Sequence, residues 1–291
     1  MPNRTLKTRS VPAATRLREL AHGLIKVAGE MGDNVSSKDA HKLRTSIRRI
    51  EVAMESAEKL PGGKKLQKQM DALRKVAGHI RDIDVHTDLL LGLDAGDYSS
   101  DSSALKAALL RRREKMEQKA AAKISKELSK GLEDRIEKVA RAIEESKPAA
   151  RVVSKDKVQH IREQYIEFTA EIPLDGDPLH DLRKATKRLR YRLEAIPGRE
   201  SHALESELKV VQDAIGAWHD WATLTAEAEE RLEPRSIAFI AFLRSRSIAK
   251  RHEARHAIGA LRQKLMHRAS GKKPPSRADA LPSTASARTA R

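Results

Sequence analysis

His41, Arg44 and Arg48 stand within HKLRTSIRRI, residues 41–50. On a helix turning about 100° per residue the three side chains fall on one narrow face. Leu43, Ile47, Ile50 and Met54 fall together on another, the apolar stripe of a buried helix. A row of one imidazole and two guanidinium groups is suited to binding an extended anion. Guanidinium donors match phosphate oxygens in pairs, and histidine bonds phosphate while neutral or adds charge below pH about 6.5. Arg44 and Arg48 are like charges at i,i+4, unfavourable by about 0.2–0.5 kcal/mol on an isolated helix. A helix shaped only for solubility would alternate signs there. Arg49 lies to one side of the row.

The pattern recurs. HDLRKATKRL, residues 180–189, repeats H-x-L-R-x-x-x-[RK]-R-[IL] and places His180, Arg183 and Lys187 on one face. Lys184 and Tyr191 flank that face, Arg188 lies beside it, and Leu182, Leu189 and Leu193 form the stripe. About thirty residues beyond each motif, GHIRDI (78–83) lines up with GAWHDW (216–221), in the same order and at nearly the same offset. Arg81 of the first copy is replaced by His219 in the second, while Asp82 and Asp220 match. The chain therefore reads as a tandem duplication of a four-helix unit. Because Arg183 and Lys187 repeat the unfavourable i,i+4 pair, a ligand explains the rows better than solvation does. Asp82 and Asp220 are expected to hold a cation of a neighbouring helix in place.

Elements to carry these rows are readable from the punctuation. Segments with apolar residues at three- and four-residue spacing predict eight helices, at 10–31, 36–59, 62–92, 103–147, 154–169, 178–196, 200–231 and 234–268, separated mostly at prolines. Ser36 or Ser37 caps the second, Asp177 the sixth, and residues 199–201 open the seventh. Residues 94–103 (DAGDYSSDSS) read as an acidic, serine-rich loop, and Gly131 bends or splits the long fourth helix. Short connectors favour antiparallel neighbours and helical bundles. The expected fold is all-α, one domain over 1–268 made of units 10–147 and 154–268. From residue 269 the chain is rich in Ala, Ser, Pro and Arg without periodicity, a basic tail expected to be disordered (269–291).

Composition narrows the function classes. The chain has 291 residues, with 58 Lys+Arg against 41 Asp+Glu, a formal charge of +17 and a pI near 10.1. Such a charge favours polyanions: nucleic acid, anionic lipid or a phosphate polymer. No cysteine is present, so disulfides, thiolate metal sites and cysteine nucleophiles are excluded. Two Trp, three Tyr and three Phe are too few for base-stacking platforms. The longest apolar run, residues 237–243, is far short of a membrane span, and the basic N-terminus has no apolar leader core. A soluble cytoplasmic protein is expected.

At these motifs the sequence resembles the CHAD family, the conserved histidine α-helical domain. The resemblance rests on HKLRTSIRR (41–49), RDIDV (81–85) preceded by Gly78, HDLRKATKRLRY (180–191) and LKVVQDAIGAWHD (208–220), and spans roughly residues 10–268. It implies two antiparallel four-helix bundles related by a pseudo-two-fold axis, with basic faces lining a central cavity or groove that binds inorganic polyphosphate. It also implies ligand contacts at His41, Arg44, Arg48, Arg49, His180, Arg183, Lys187, Arg188 and Arg190, with Arg81 as a neighbour; Lys184, which flanks the second row, is expected to join them. Relatives are often fused to a triphosphate-hydrolysing CYTH domain, which this chain lacks. It thus looks like a stand-alone form that binds polyphosphate or targets polyphosphate granules.

Other residues suggest rivals. Arg111, Arg112, Lys115 and Lys119, and in the second unit Arg246, Lys250 and Arg251, read either as solvated faces or as extensions of the anion surface. His79, Asp82 and His86 share a helix face and have the spacing of metal ligands, which raises a metal-dependent phosphate-polymer enzyme as an alternative. A polar network is the simpler account. No P-loop, G-x-S-x-G or H-E-x-x-H motif occurs, so neither catalysis nor a resident cofactor or metal is expected. Non-specific DNA binding is the main alternative, aided by Lys272, Lys273, Arg277, Arg288 and Arg291. An amphipathic scaffold on granules or membranes is a third, with Trp218 and Trp221 more simply packed in the second bundle.

Overall fold

The computed structural model describes residues 12–31, 35–55, 57–146, 154–171 and 178–269. Within them lie α1 (Ala13–Gly29), α2 (Ser37–Ala53), α3 (Gly63–Leu91), α4 (Ser99–Leu128), α5 (Leu132–Glu145), α6 (Ser154–Glu171), α7 (Pro178–Glu194), α8 (Arg199–Arg231) and α9 (Ile237–Ala269). Single 3-10 turns at Gly96–Tyr98 and Pro234–Ser236 lead into α4 and α9. No strand occurs among the described residues, and the fold is all-α. The Asp177 cap and the tail beyond residue 269 lie outside the described residues.

Local chemistry accounts for the boundaries that matter. Ser36 caps α2, its Oγ accepting the Asp39 amide at 3.1 Å. The turn into α3 needs two glycines. Gly62 has φ +89°, and a Cβ on Gly63 would sit 2.6 Å from the Glu58 carbonyl oxygen. Of the two outcomes expected at Gly131, the long fourth segment is split: Gly131 takes a left-handed conformation (φ +70°) that ends one helix and starts the other. One expectation is corrected here. The acidic segment 94–103 is only partly loop, since α4 begins at Ser99. Serines and Asp101 suit a helix start, and Tyr98 is anchored against Phe239 and Phe242, with ring centroids 5.8 and 5.3 Å away.

Three apolar cores follow. One is enclosed by α1, α2, α3, α5 and the C-terminal part of α4, and takes in the whole α2 stripe: Leu43, Ile47, Ile50 and Met54 are all fully buried. Burial stabilises each such side chain by about 1.5–3 kcal/mol. The second lies among α6, α7, α8 and α9, where Leu182, Leu189 and Leu193 of α7 meet Tyr165 and the α8 stripe. The third joins the ends of α3 and α8 to the starts of α4 and α9 through residues such as Leu105, Leu109, Leu224 and Phe239. Trp218 packs on the second core, but Trp221 belongs to this third one, where both halves of the chain meet. Across the halves α2 also packs on α7, and α3 on α8. Each helix thus meets the helix carrying its matching motif.

Candidate anion-binding site

That pairing brings the two cation rows together. Arg44 and Arg48 of α2 lie close enough to Arg183 and Lys187 of α7 to act on the ionisation of both. From α3 come Arg81 and Asp82, and from α8 His219 and Asp220. His180 and His219 stand with ring centroids 5.3 Å apart. His41 is exposed at the end of its row, near Arg81 and Arg44.

The halves differ in how their cations are satisfied. Arg44 donates from Nη1 to Asp82 Oδ1 at 3.0 Å, which ties α2 to α3 as the recurring aspartate suggests. Arg48 donates to Glu51 at 2.7 Å, and the other Glu51 oxygen accepts Arg74 Nε at 2.8 Å. In the second half neither Arg183 nor Lys187 forms an ion pair within the described residues. Arg183 Nε and Thr186 Oγ1 are buried without a hydrogen-bond partner.

Electrostatics record this. Burial, reinforced by Arg183, Arg44 and Arg48, pushes the Lys187 ammonium down to about 7. Burial likewise lowers Arg183, against the pull of Asp220. His219 is pushed down to about 4 by burial, then by Arg183 and His180. Burial raises Asp220 despite the cations beside it. His41 is lowered by burial, then by Arg81 and Arg44, so its charge appears only below the ordinary histidine range. Unpaired buried charges cost roughly several kcal/mol each, and a bound anion would remove that penalty.

Other expected ligand residues are placed differently. Arg49 bonds Glu194 at 3.1 Å across the halves. Arg190 bonds Glu194, Glu205 and Gln212 and lies over the Tyr191 ring at 4.5 Å. These two serve the packing of α7 against its neighbours. Arg81 donates to Ser37 at 3.3 Å, Lys184 pairs with Asp181 at 3.3 Å, and Arg188 is exposed. On α4, Arg112 is held by Glu227 of α8, while Arg111, Lys115 and Lys119 are exposed. On α9, Arg246 is exposed with its guanidinium 5.1 Å from the Phe242 ring centre, and Lys250 pairs with Glu253 at 2.8 Å. Arg251 is half-buried, with Nε and Nη2 lacking partners.

The suggested metal ligands diverge. His79 is exposed, Asp82 serves Arg44, and His86 is buried with Nε2 2.9 Å from Thr223 Oγ1 of the other half. No group of three or more ligating side chains occurs among the described residues. Sequence reasoning missed Arg113, which reaches Asp84 at 2.6 Å, Glu117 at 2.7 Å and the Val35 carbonyl at 3.1 Å. The unmatched half of RDIDV, Asp84, was the available signal for it.

A family model described as CHAD domain matches residues 17–229. A crystal structure of the CHAD domain from the plant Ricinus communis is similar at 20% identity and a TM-score of 0.68, covering 90% of this chain and 93% of its own. PptA from Streptomyces chartreusis is similar at 17% identity and a TM-score of 0.62, covering 88% and 98%. No curated protein sequence matches the chain.

Proposed function

The chain belongs to the CHAD domain family, and from that premise we propose that it binds inorganic polyphosphate in the slot between α2 and α7. Arg44, Arg48, Arg183 and Lys187 are the central contacts. His41, Arg81, His180 and His219 extend them, and Lys184 and Arg188 border the slot. The carrying observation is a pair of half-buried cations, Arg183 and Lys187, that form no ion pair among the described residues and face two more cations from the matching motif, with Asp220 nearby. Polyphosphate bears about one negative charge per residue and no bases, so charge-assisted bonds must supply the recognition. A linear polymer is favoured because the cations lie in rows. In this reading residues 1–268 act as one domain of two units, 10–147 and 154–268, with no catalytic role. Its use in the cell is to organise polyphosphate or to attach to its granules, in the cytoplasm.

Competition tests this. Protein loaded with duplex DNA is titrated with long-chain polyphosphate at about 0.15 M salt, where surface electrostatics are well screened. Polyphosphate is expected to displace the DNA, with an affinity that falls steeply with added salt. DNA retained against excess polymer would mean that nucleic acid is the true partner.

Asp82 provides a second check. Its side chain is 57% exposed and competes with any phosphate for Arg44. Asp82→Asn is expected to tighten polyphosphate binding by up to about tenfold, about 1.4 kcal/mol, in calorimetric titration. Weaker binding would show that the carboxylate orients Arg44 rather than competing for it.

A further inference from the structure

An open groove lies between α1 and α2 of one half and α6 and α7 of the other. It holds roughly 650 Å³, within the range of about 300–1,000 Å³ typical of small-molecule sites. Val52 and Tyr191 give it partly exposed apolar walls, over Ile161 and Ile196 of the second core. Arg16 of α1 and Lys157 of α6 line it with His160, and neither cation forms an ion pair within the described residues. The other lining cations are engaged: Arg49 with Glu194, and Arg192 with Glu55 at 2.7 Å and Gln164 at 3.1 Å.

We propose that this groove is a site for a nucleoside phosphate, distinct from the polyphosphate slot. A bare phosphate chain would leave the apolar walls wet. A nucleoside covers them, with its base and sugar against Tyr191 and Val52, while its phosphates reach Arg16 and Lys157. Both halves supply walls and cations, so the ligand bridges them and raises the thermal midpoint as ligand is added.

Calorimetric titration of the full chain with ATP, and with tripolyphosphate as a probe of similar charge lacking the nucleoside, tests the proposal at about 0.15 M salt. ATP is expected to bind at least about tenfold more tightly than tripolyphosphate. Arg16→Glu with Lys157→Glu should weaken ATP binding by about tenfold or more and leave long-chain polyphosphate nearly unaffected. Arg44→Glu with Arg183→Glu should do the reverse. Ala195→Trp narrows the groove without changing charge and should also reduce ATP binding. Equal affinity for ATP and tripolyphosphate, loss of ATP binding in the Arg44/Arg183 variant, or indifference to Ala195→Trp would each overturn the site. The Arg16/Lys157 and Ala195 variants read the groove and the Arg44/Arg183 variant reads the slot, so failure of one site is distinguished from failure of the other.

Discussion

Arg44→Glu combined with Arg183→Glu is expected to weaken polyphosphate binding at least ~100-fold, because each reversal turns an attraction of roughly 2 kcal/mol or more into repulsion. Helical circular dichroism should be unchanged. Arg44 lies beside the apolar stripe and not in it, and Arg183 forms no ion pair among the described residues, although Asp220 attracts it. In the empty protein Arg183 feels attraction from Asp220 and Asp82 as well as repulsion from Arg44 and Arg48, so its reversal exchanges one set for the other. The variant loses the Arg44–Asp82 tie between α2 and α3, so its melting temperature is expected to fall modestly while binding falls far more. The same change at Arg49 and Arg190 should behave otherwise. Their carboxylate partners at Glu194 and Glu205 are ties between helices, so their loss lowers the melting temperature. Filter binding across salt concentrations, with melting curves on the same samples, separates the two classes. Retained affinity in the Arg44/Arg183 variant would place the site elsewhere.

Polyphosphate binding is expected to take up a proton above neutral pH. In the empty protein Lys187 holds its proton only below about 7, because burial and the cations Arg183, Arg44 and Arg48 disfavour the charge, with Asp220 of α8 opposing them. An unfolded lysine keeps its proton to about 10.4. Folding therefore releases a proton between those values, and this group's contribution to stability is full above the upper one and falls as pH drops toward 7. A phosphate beside Lys187 restores the charge. Titration near pH 8.5, in buffers of differing ionisation heat, should detect uptake of up to about one proton, with affinity declining as pH rises from about 7. Lys187→Met should abolish the lysine's share of the uptake in that range. Lys187→Arg stays charged and should flatten the decline. His41 and His219 start neutral because burial and nearby cations lower both in the empty slot, and any proton that they gain from the phosphate persists in Lys187→Met. Unchanged proton uptake in Lys187→Met would exclude Lys187 from the contact.

Helix positions and the two cation rows were legible in the sequence because both depend on local spacing. An apolar stripe at helical period marks the buried face, and Leu43, Ile47 and Ile50 are buried as that period requires. The recurrence of H-x-L-R-x-x-x-[RK]-R identified the rows without any structure. Helix ends were less legible. Ser99 begins a helix inside a segment that composition marks as loop, because contact of Tyr98 with Phe239 and Phe242, distant in sequence, sets that end. Which cations are free was not legible at all. Arg48 and Lys187 occupy matching positions in their motifs, yet Arg48 meets Glu51 and Lys187 meets only other charges. Glu194 carries no sequence signal, but it engages Arg49 from the opposite half and Arg190 from its own helix. The sequence by itself determined an all-α chain with a doubled basic motif, since propensity and period act within a few residues. Only the tertiary structure decided that the two motifs face each other and which of their charges stay unpaired. Coulomb energy and desolvation depend on distances between groups more than a hundred residues apart, which no local pattern records.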